Sequence, residues 1–146
     1  MRKLLNEELG RPTLEECATQ DKLPVVIVLD NVRSAQNVGS FFRTADAFGI
    51  GLIALCGISA TPPNREIHKT ALGAEQSVEW SYHPTTFECI ESLRQEGYRI
   101  IAIEQIEGAT MLNNFRAEST ERYALIFGNE VDGVDQAVAD IVDGVI

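Results

Sequence analysis

"LPVVIVLDNVRSAQNVGSFFRTADAFGIGLIALCG" (residues 23–57) decides the fold. Its first eight residues, "LPVVIVLD" (23–30), are a continuous apolar, β-branched run, the pattern of a strand buried on both faces, as strands of parallel sheets are. After a polar loop, Val38, Phe41, Phe42, Ala45 and Phe48 recur at helical spacing, which predicts one apolar helix face. Gly49 stands where a left-handed residue would end that helix. A second apolar run, "GLIALCG" (51–57), follows at once, so strand, helix and strand make a βαβ unit.

Outward from this unit the same alternation continues. "ISATPPNREIHKTALGAEQ" (58–76) is loop-rich, and Pro62-Pro63 bar a helix until about Arg65. "SVEWSYH" (77–83) alternates like a strand, and "TTFE" (85–88) offers a capping box, with Thr85 as N-cap, for a helix through Phe87, Ile90 and Leu93 to Gly97. "YRIIAIE" (98–104) and "YALIF" (123–127) read as two further strands, and Val134, Ala137, Val138 and Ile141 predict a helix after them. "DGVI" (143–146) reads as a turn and the first residues of another strand. The expected architecture is α/β, one domain over 1–146, with a mainly parallel sheet flanked by helices.

No run approaches the roughly 20 apolar residues that span a bilayer, and "MRKLLNEELGR" lacks the apolar region of a signal peptide. A cytoplasmic protein without membrane association is expected. Cys17, Cys56 and Cys89 are far apart, and His68 and His83 lack ligand spacing, so no metal site is expected. Cys56 and Cys89 lie in apolar segments and read as core. The net charge of −10 argues against a broad nucleic-acid surface, but it is unevenly spread. Residues 1–69 hold eight Lys/Arg and eight Asp/Glu, whereas 70–146 hold four and fourteen. An anion would therefore meet Arg33, Arg43, Arg65 and Lys69 in the first half; ordinary solvated cations are the other reading of Arg65 and Lys69.

Two constellations carry chemistry. In "NVGSFFR" (37–43) Arg43 projects away from the apolar face, one turn after Gly39. Side chains lean toward a helix N-terminus, so Gly39 would leave the guanidinium a clear path to the helix start and to Asn37, making a notch for a phosphate or hydroxyl. An arginine paired with a carboxylate such as Asp46 is the competing reading. In "FGNEVDG" (127–133), Gly128 would admit a ligand or another backbone, Asn129 and Glu130 offer polar groups, and Gly133 permits a tight return; a plain turn into a helix explains the loop equally well. There is neither a dinucleotide-binding glycine fingerprint nor a P-loop.

"LDNVRSAQNVGSFFRTADAFGI" (29–50) followed by "ALIFGNEVDGV" (124–134) resembles the first two motifs of the SpoU, or TrmH-like, RNA ribose 2′-O-methyltransferases, and "TPPNREIHKTALGAEQSVEW" (61–80) between them is similar too. The resemblance implies a SPOUT-type α/β knot fold, a homodimer, and transfer of a methyl group from S-adenosylmethionine to a ribose 2′-hydroxyl of tRNA or rRNA. It implies Asn37 and Arg43 as catalytic positions, and Gly128, Asn129 and Glu130 near the cofactor and dimer interface. Ile103, Glu104 and Gln105, after the strand "YRIIAIE", would contact the cofactor. The family's third motif, which completes the knot, is expected just after Ile146 and is absent from these residues. A guanidinium is essentially always protonated, so Arg43 suits binding the adjacent phosphate and orienting the 2′-oxygen; a special environment that neutralises it is the other role. The alternative function is a catalytically inactive RNA-binding or assembly module on the same scaffold.

Overall fold

A computed structural model describes residues 1–10 and 12–146, with the side chains of 6, 17 and 18 outside the description. Strands β1 (Leu23–Asp30), β2 (Ile50–Cys56), β3 (Glu79–His83), β4 (Tyr98–Ile103), β5 (Arg122–Phe127) and β6 (Gly144–Val145) form one sheet in the order β3-β2-β1-β5-β4-β6. Every pairing in this sheet is parallel, in keeping with the apolar runs of its central strands. The helices are α1 (Leu14–Thr19), α2 (Ala35–Phe48), α3 (Arg65–Ala71), α4 (Thr86–Gln95) and α5 (Gln136–Ala139). Among the described residues no helix is long and apolar enough to cross a membrane.

Alternation along β1 sorts the core into two layers. Val26 and Val28 join Cys89, Ile90 and Leu93 of α4 and Val138 of α5 on one face. Ile27 and Leu29 join Val38, Phe42 and Ala45 of α2 and Ile67 and Ala71 of α3 on the other. Cys56 and Cys89 are fully buried, as the apolar context of each predicts; Cys17 lies outside the described side chains. Gly49 ends α2 at φ +69°, with its N–H on the carbonyls of Ala45 and Asp46, and Thr85 caps α4 by accepting from the Glu88 N–H.

The sheet departs from the sequence reading in particular places. Phe48 is 67% exposed. It sits roughly 80° around α2 from Val38, at the edge of the apolar stripe, so the helical phase turns it outward. The helix expected from Val134 to Ile141 shrinks to the four residues of α5, because Val134 is still held in the loop by a hydrogen bond from its N–H to Glu104. "DGVI" does form a strand: β6 pairs with β4, and Asp143 fixes the entry by accepting from the Ile100 N–H at 2.7 Å.

Since β1 and β2 carry their helices on one face and β5 feeds α5 on the other, the chain diverges at the carboxyl ends of β1 and β5. Such a switch point opens a crevice.

Candidate active site

The first wall of that crevice is α2. Ser34 caps it by accepting from the Asn37 N–H at 3.3 Å, which places Asn37 in the first turn, exposed above the end of β1. Gly39 faces elsewhere. It is buried, and an added Cβ would stand 2.0 Å from Thr70 Oγ1 and 2.4 Å from the Ile67 carbonyl oxygen. The glycine therefore lets α2 and α3 touch backbone to backbone, and Thr70 Oγ1 seals the crossing by donating to the Gln36 carbonyl at 2.9 Å. The reading of Gly39 as a cleared path for Arg43 is corrected: close helix packing occupies that space. Arg43 is exposed on the adjoining strip of α2. Among the described residues it has no ion pair, and Asp46 instead accepts from Ser77 Oγ at 2.7 Å.

The second wall is the loop after β5. Gly128 is required there by backbone contact, since a Cβ would meet the Gly133 carbonyl carbon at 1.9 Å and Val134 N at 2.1 Å. Asn129 and Gly133 exchange backbone hydrogen bonds, and Asn129 Oδ1 accepts from the N–H groups of Val131 and Asp132, so this side chain is spent on the loop's own shape. Gly133 returns the chain at φ +70°. Glu130 is thereby aimed at α2, where its Oε1 accepts from Asn37 Nδ2 at 2.5 Å across 93 residues of sequence. Val32, Ser40, Phe41, Thr44 and Phe127 complete a cavity of about 370 Å³ around this pair, floored by the Phe41 and Phe127 rings 4.9 Å apart.

Ile103, Glu104 and Gln105 lie at the end of β4 and line a different, larger cleft of about 680 Å³ with Ile106, Met111 and Ile146. Glu104 links the two regions. Its Oε2 accepts from the Val134 N–H at 2.8 Å and its Oε1 from the Gln105 N–H at 2.7 Å. Those two backbone donors, Gln105 first, hold its carboxyl below the usual range.

The model of the SpoU rRNA Methylase family matches residues 24–146. The chain belongs to that family. Its SpoU relatives include the 23S rRNA (guanosine-2′-O-)-methyltransferase RlmB of Vibrio parahaemolyticus, 24% identical over 140 residues covering 96% of this chain and 56% of that protein. The tRNA (guanosine(18)-2′-O)-methyltransferase of Thermus thermophilus is 26% identical over 140 residues, covering 95% and 70%. Among solved structures, the AdoMet-bound rRNA methyltransferase of Sinorhizobium meliloti superposes with a TM-score of 0.76 at 25% identity, over 92% of this chain and 50% of that one. The chain thus spans about half the length of several SpoU proteins it matches.

Within this SpoU domain the four expected RNA-binding cations fall into two groups. Arg33, Arg43 and Arg65 are exposed and, among the described residues, have neither an ion pair nor a hydrogen bond to protein. Lys69 is paired with Glu66 at 2.6 Å, one turn back on α3. The residue that sequence reasoning missed is Asp30, 2% exposed at the end of β1. It accepts from Asn31 Nδ2 at 2.9 Å, from Thr86 Oγ1 at 2.5 Å and from the Asp135 N–H at 3.0 Å, tying both motif loops to α4. Its one signal was a carboxylate ending a buried strand.

Proposed function

We propose that this protein transfers a methyl group from S-adenosylmethionine to a ribose 2′-hydroxyl of tRNA or rRNA, in the cytoplasm, as a homodimer with a knotted carboxyl-terminal region. The observation that carries the reading is the 2.5 Å bond between Asn37 and Glu130, which joins the two SpoU motifs across the crevice. The relatives named for 2′-O-methylation of rRNA and tRNA guanosines support the chemistry.

The cleft beyond β4 suits the cofactor. Its volume is that of a small-molecule site, Ile103, Ile106, Met111 and Leu112 give it apolar surface, and Gly108 presents bare backbone, with nothing within 4 Å of an added Cβ. Ile103, Gln105 and Gly108 would hold the group, with Glu104 shaping the loop around it; Gly128, Asn129 and Glu130 keep their implied place beside cofactor and dimer interface within the same proposal. When bound, S-adenosylmethionine supplies an electrophilic methyl group on a positively charged sulfur. The chain's own task is positioning. Arg43 grips the phosphate next to the target ribose with its planar fork, Asn37, pinned by Glu130, offers its free amide oxygen to the hydroxyl, and the proton leaves late, to solvent.

The test is incorporation of labelled methyl groups into tRNA and rRNA, with digestion to nucleosides to locate the methyl on the ribose. Arg43→Lys keeps the charge and loses the fork; kcat should fall roughly 100-fold, the usual penalty of a misplaced reacting group. Full activity in that variant removes the geometric role assigned to Arg43. RNA binding with neither cofactor binding nor methylation would establish the inactive module instead.

A further inference from the structure

Helix α3 has two working faces. Ile67, Thr70 and Ala71 meet α2, while Arg65 and His68 line a separate cavity of about 630 Å³ on the outer flank, beside the edge strand β3. Pro62, Pro63, Glu75 and Trp80 share this cavity. Nothing in the proposed methyl transfer uses it.

The lining is chemically specific. Trp80 leaves 38% of its surface exposed on an edge strand, and with the two prolines it provides flat apolar surface of the kind on which unstacked bases lie. Arg65 is a fixed cation with no protein partner among the described residues. Glu75 is the carboxylate of the cavity: its Oε1 meets His68 Nδ1 at 2.5 Å, while its Oε2 is buried without a hydrogen-bond partner. Burial pushes the Glu75 carboxyl upward, but His68 and the N–H groups of Glu75 and Gly73 outweigh it and hold the pKa below the usual range, so the acceptor stays ionised. The Glu75 side chain keeps 12% of its surface exposed, and an ionised carboxylate at the cavity wall suits a ligand N–H.

We infer that this cavity binds an unstacked purine nucleotide of the RNA, with the base on Trp80, its amino edge toward Glu75 and its phosphate on Arg65. The inference rests on the RNA reading above. Through α3, the same helix that packs on Gly39, the site would fix the strand's path relative to Arg43.

Trp80 is the only tryptophan of the chain, so indole fluorescence reports this cavity alone. The experiment titrates the protein with 3′-labelled single-stranded oligoadenylate and oligouridylate, reading label anisotropy for binding and indole emission for stacking, with free AMP as a third ligand. Oligoadenylate should quench the indole more than oligouridylate. Trp80→Leu should weaken oligoadenylate binding roughly 5-fold or more, as loss of one stacked base does, and Trp80→Phe should retain most of it. Arg65→Ala should also weaken it, and melting curves verify that each variant folds. Bound oligoadenylate with unchanged emission and full affinity in Trp80→Leu overturns the inference and leaves the RNA reading intact. Free AMP binding as tightly as oligoadenylate overturns the assignment to RNA. Absence of any RNA binding by anisotropy overturns this inference together with the RNA reading.

Discussion

Replacing Gly39 with alanine separates two explanations of one residue. By helix propensity alone the change should stabilise α2 by about 1 kcal/mol. The new methyl, however, would lie 2.0 Å from Thr70 Oγ1, 2.4 Å from the Ile67 carbonyl oxygen and 3.1 Å from Ala71 N. Thr70 can rotate away, at the loss of its hydrogen bond to the Gln36 carbonyl, worth about 1 kcal/mol. The Ile67 carbonyl cannot, so α3 must retreat by about 1 Å and loosen contacts over its whole inner face; overpacking of this kind costs ~1–3 kcal/mol. The net expectation is a loss of about 2 kcal/mol, a fall in Tm of roughly 6 °C. Urea unfolding followed by circular dichroism measures it, with an unchanged denaturant slope showing that the same transition is compared. Adding Thr70→Ala should recover only part of the loss, because the carbonyl clash stays. A Gly39→Ala protein as stable as the parent, but with weakened RNA binding, would refute the packing account and restore the idea that the glycine clears a path for Arg43.

Two other expectations concern the carboxylates beneath the site. Asp30→Ala strands the buried Thr86 hydroxyl and the part-buried Asp135 N–H, and should cost about 2 kcal/mol in guanidinium unfolding; a loss under about 0.5 kcal/mol would show that Asp30 does not organise the two loops. For Glu104 the folded-state pKa lies below its ordinary value of 4.5, so its contribution is complete above that value and is lost as pH falls through the lower folded-state pKa. Amide exchange of Val134 and Gln105, corrected for intrinsic rates, should therefore accelerate in that acid window, and in Glu104→Gln already at neutral pH. Protection that is independent of pH and of that substitution would dissociate Glu104 from the loop.

The parallel sheet was legible because its signal is redundant. β1, β2, β4 and β5 each centre on a continuous apolar run, and a strand buried on both faces has few other sequence solutions. What escaped depends on contacts between distant segments. Gly39 reads locally as a helix defect near an arginine; that α3 lies against it follows only from how residues 65–71 dock. Phe48 matches the helical period, yet it falls at the edge of the apolar stripe and turns outward. Asp30 looks like the polar end of a strand, and its three donors come from residues 31, 86 and 135. The short α1 did carry a local signal, a Thr13-x-x-Glu16 capping box whose reciprocal bonds form, but six residues are too few to announce a helix by periodicity. For the site, the two motifs were visible as motifs; their junction through Asn37 and Glu130 was not, since each side chain alone is an unremarkable polar group.

Net charge misleads for a related reason. A chain at −10 looks unsuited to RNA, but charge matters by where it is spent. Several of the acidic side chains are committed to protein donors: Asp30 and Glu104 to backbone N–H groups, Asp135 to capping α5, Asp143 to the entry of β6, Glu75 to His68 and Glu130 to Asn37. Arg33, Arg43 and Arg65 have no such commitments among the described residues: Arg33 follows β1, Arg43 lies within α2 and Arg65 opens α3. These carboxylates thus act as scaffold, satisfying donors that tight loops would otherwise leave unpaired, while the three arginines stay available. A phosphate approaching α2 meets that local field rather than the average, because charges more than about 10 Å away are largely screened at ordinary ionic strength.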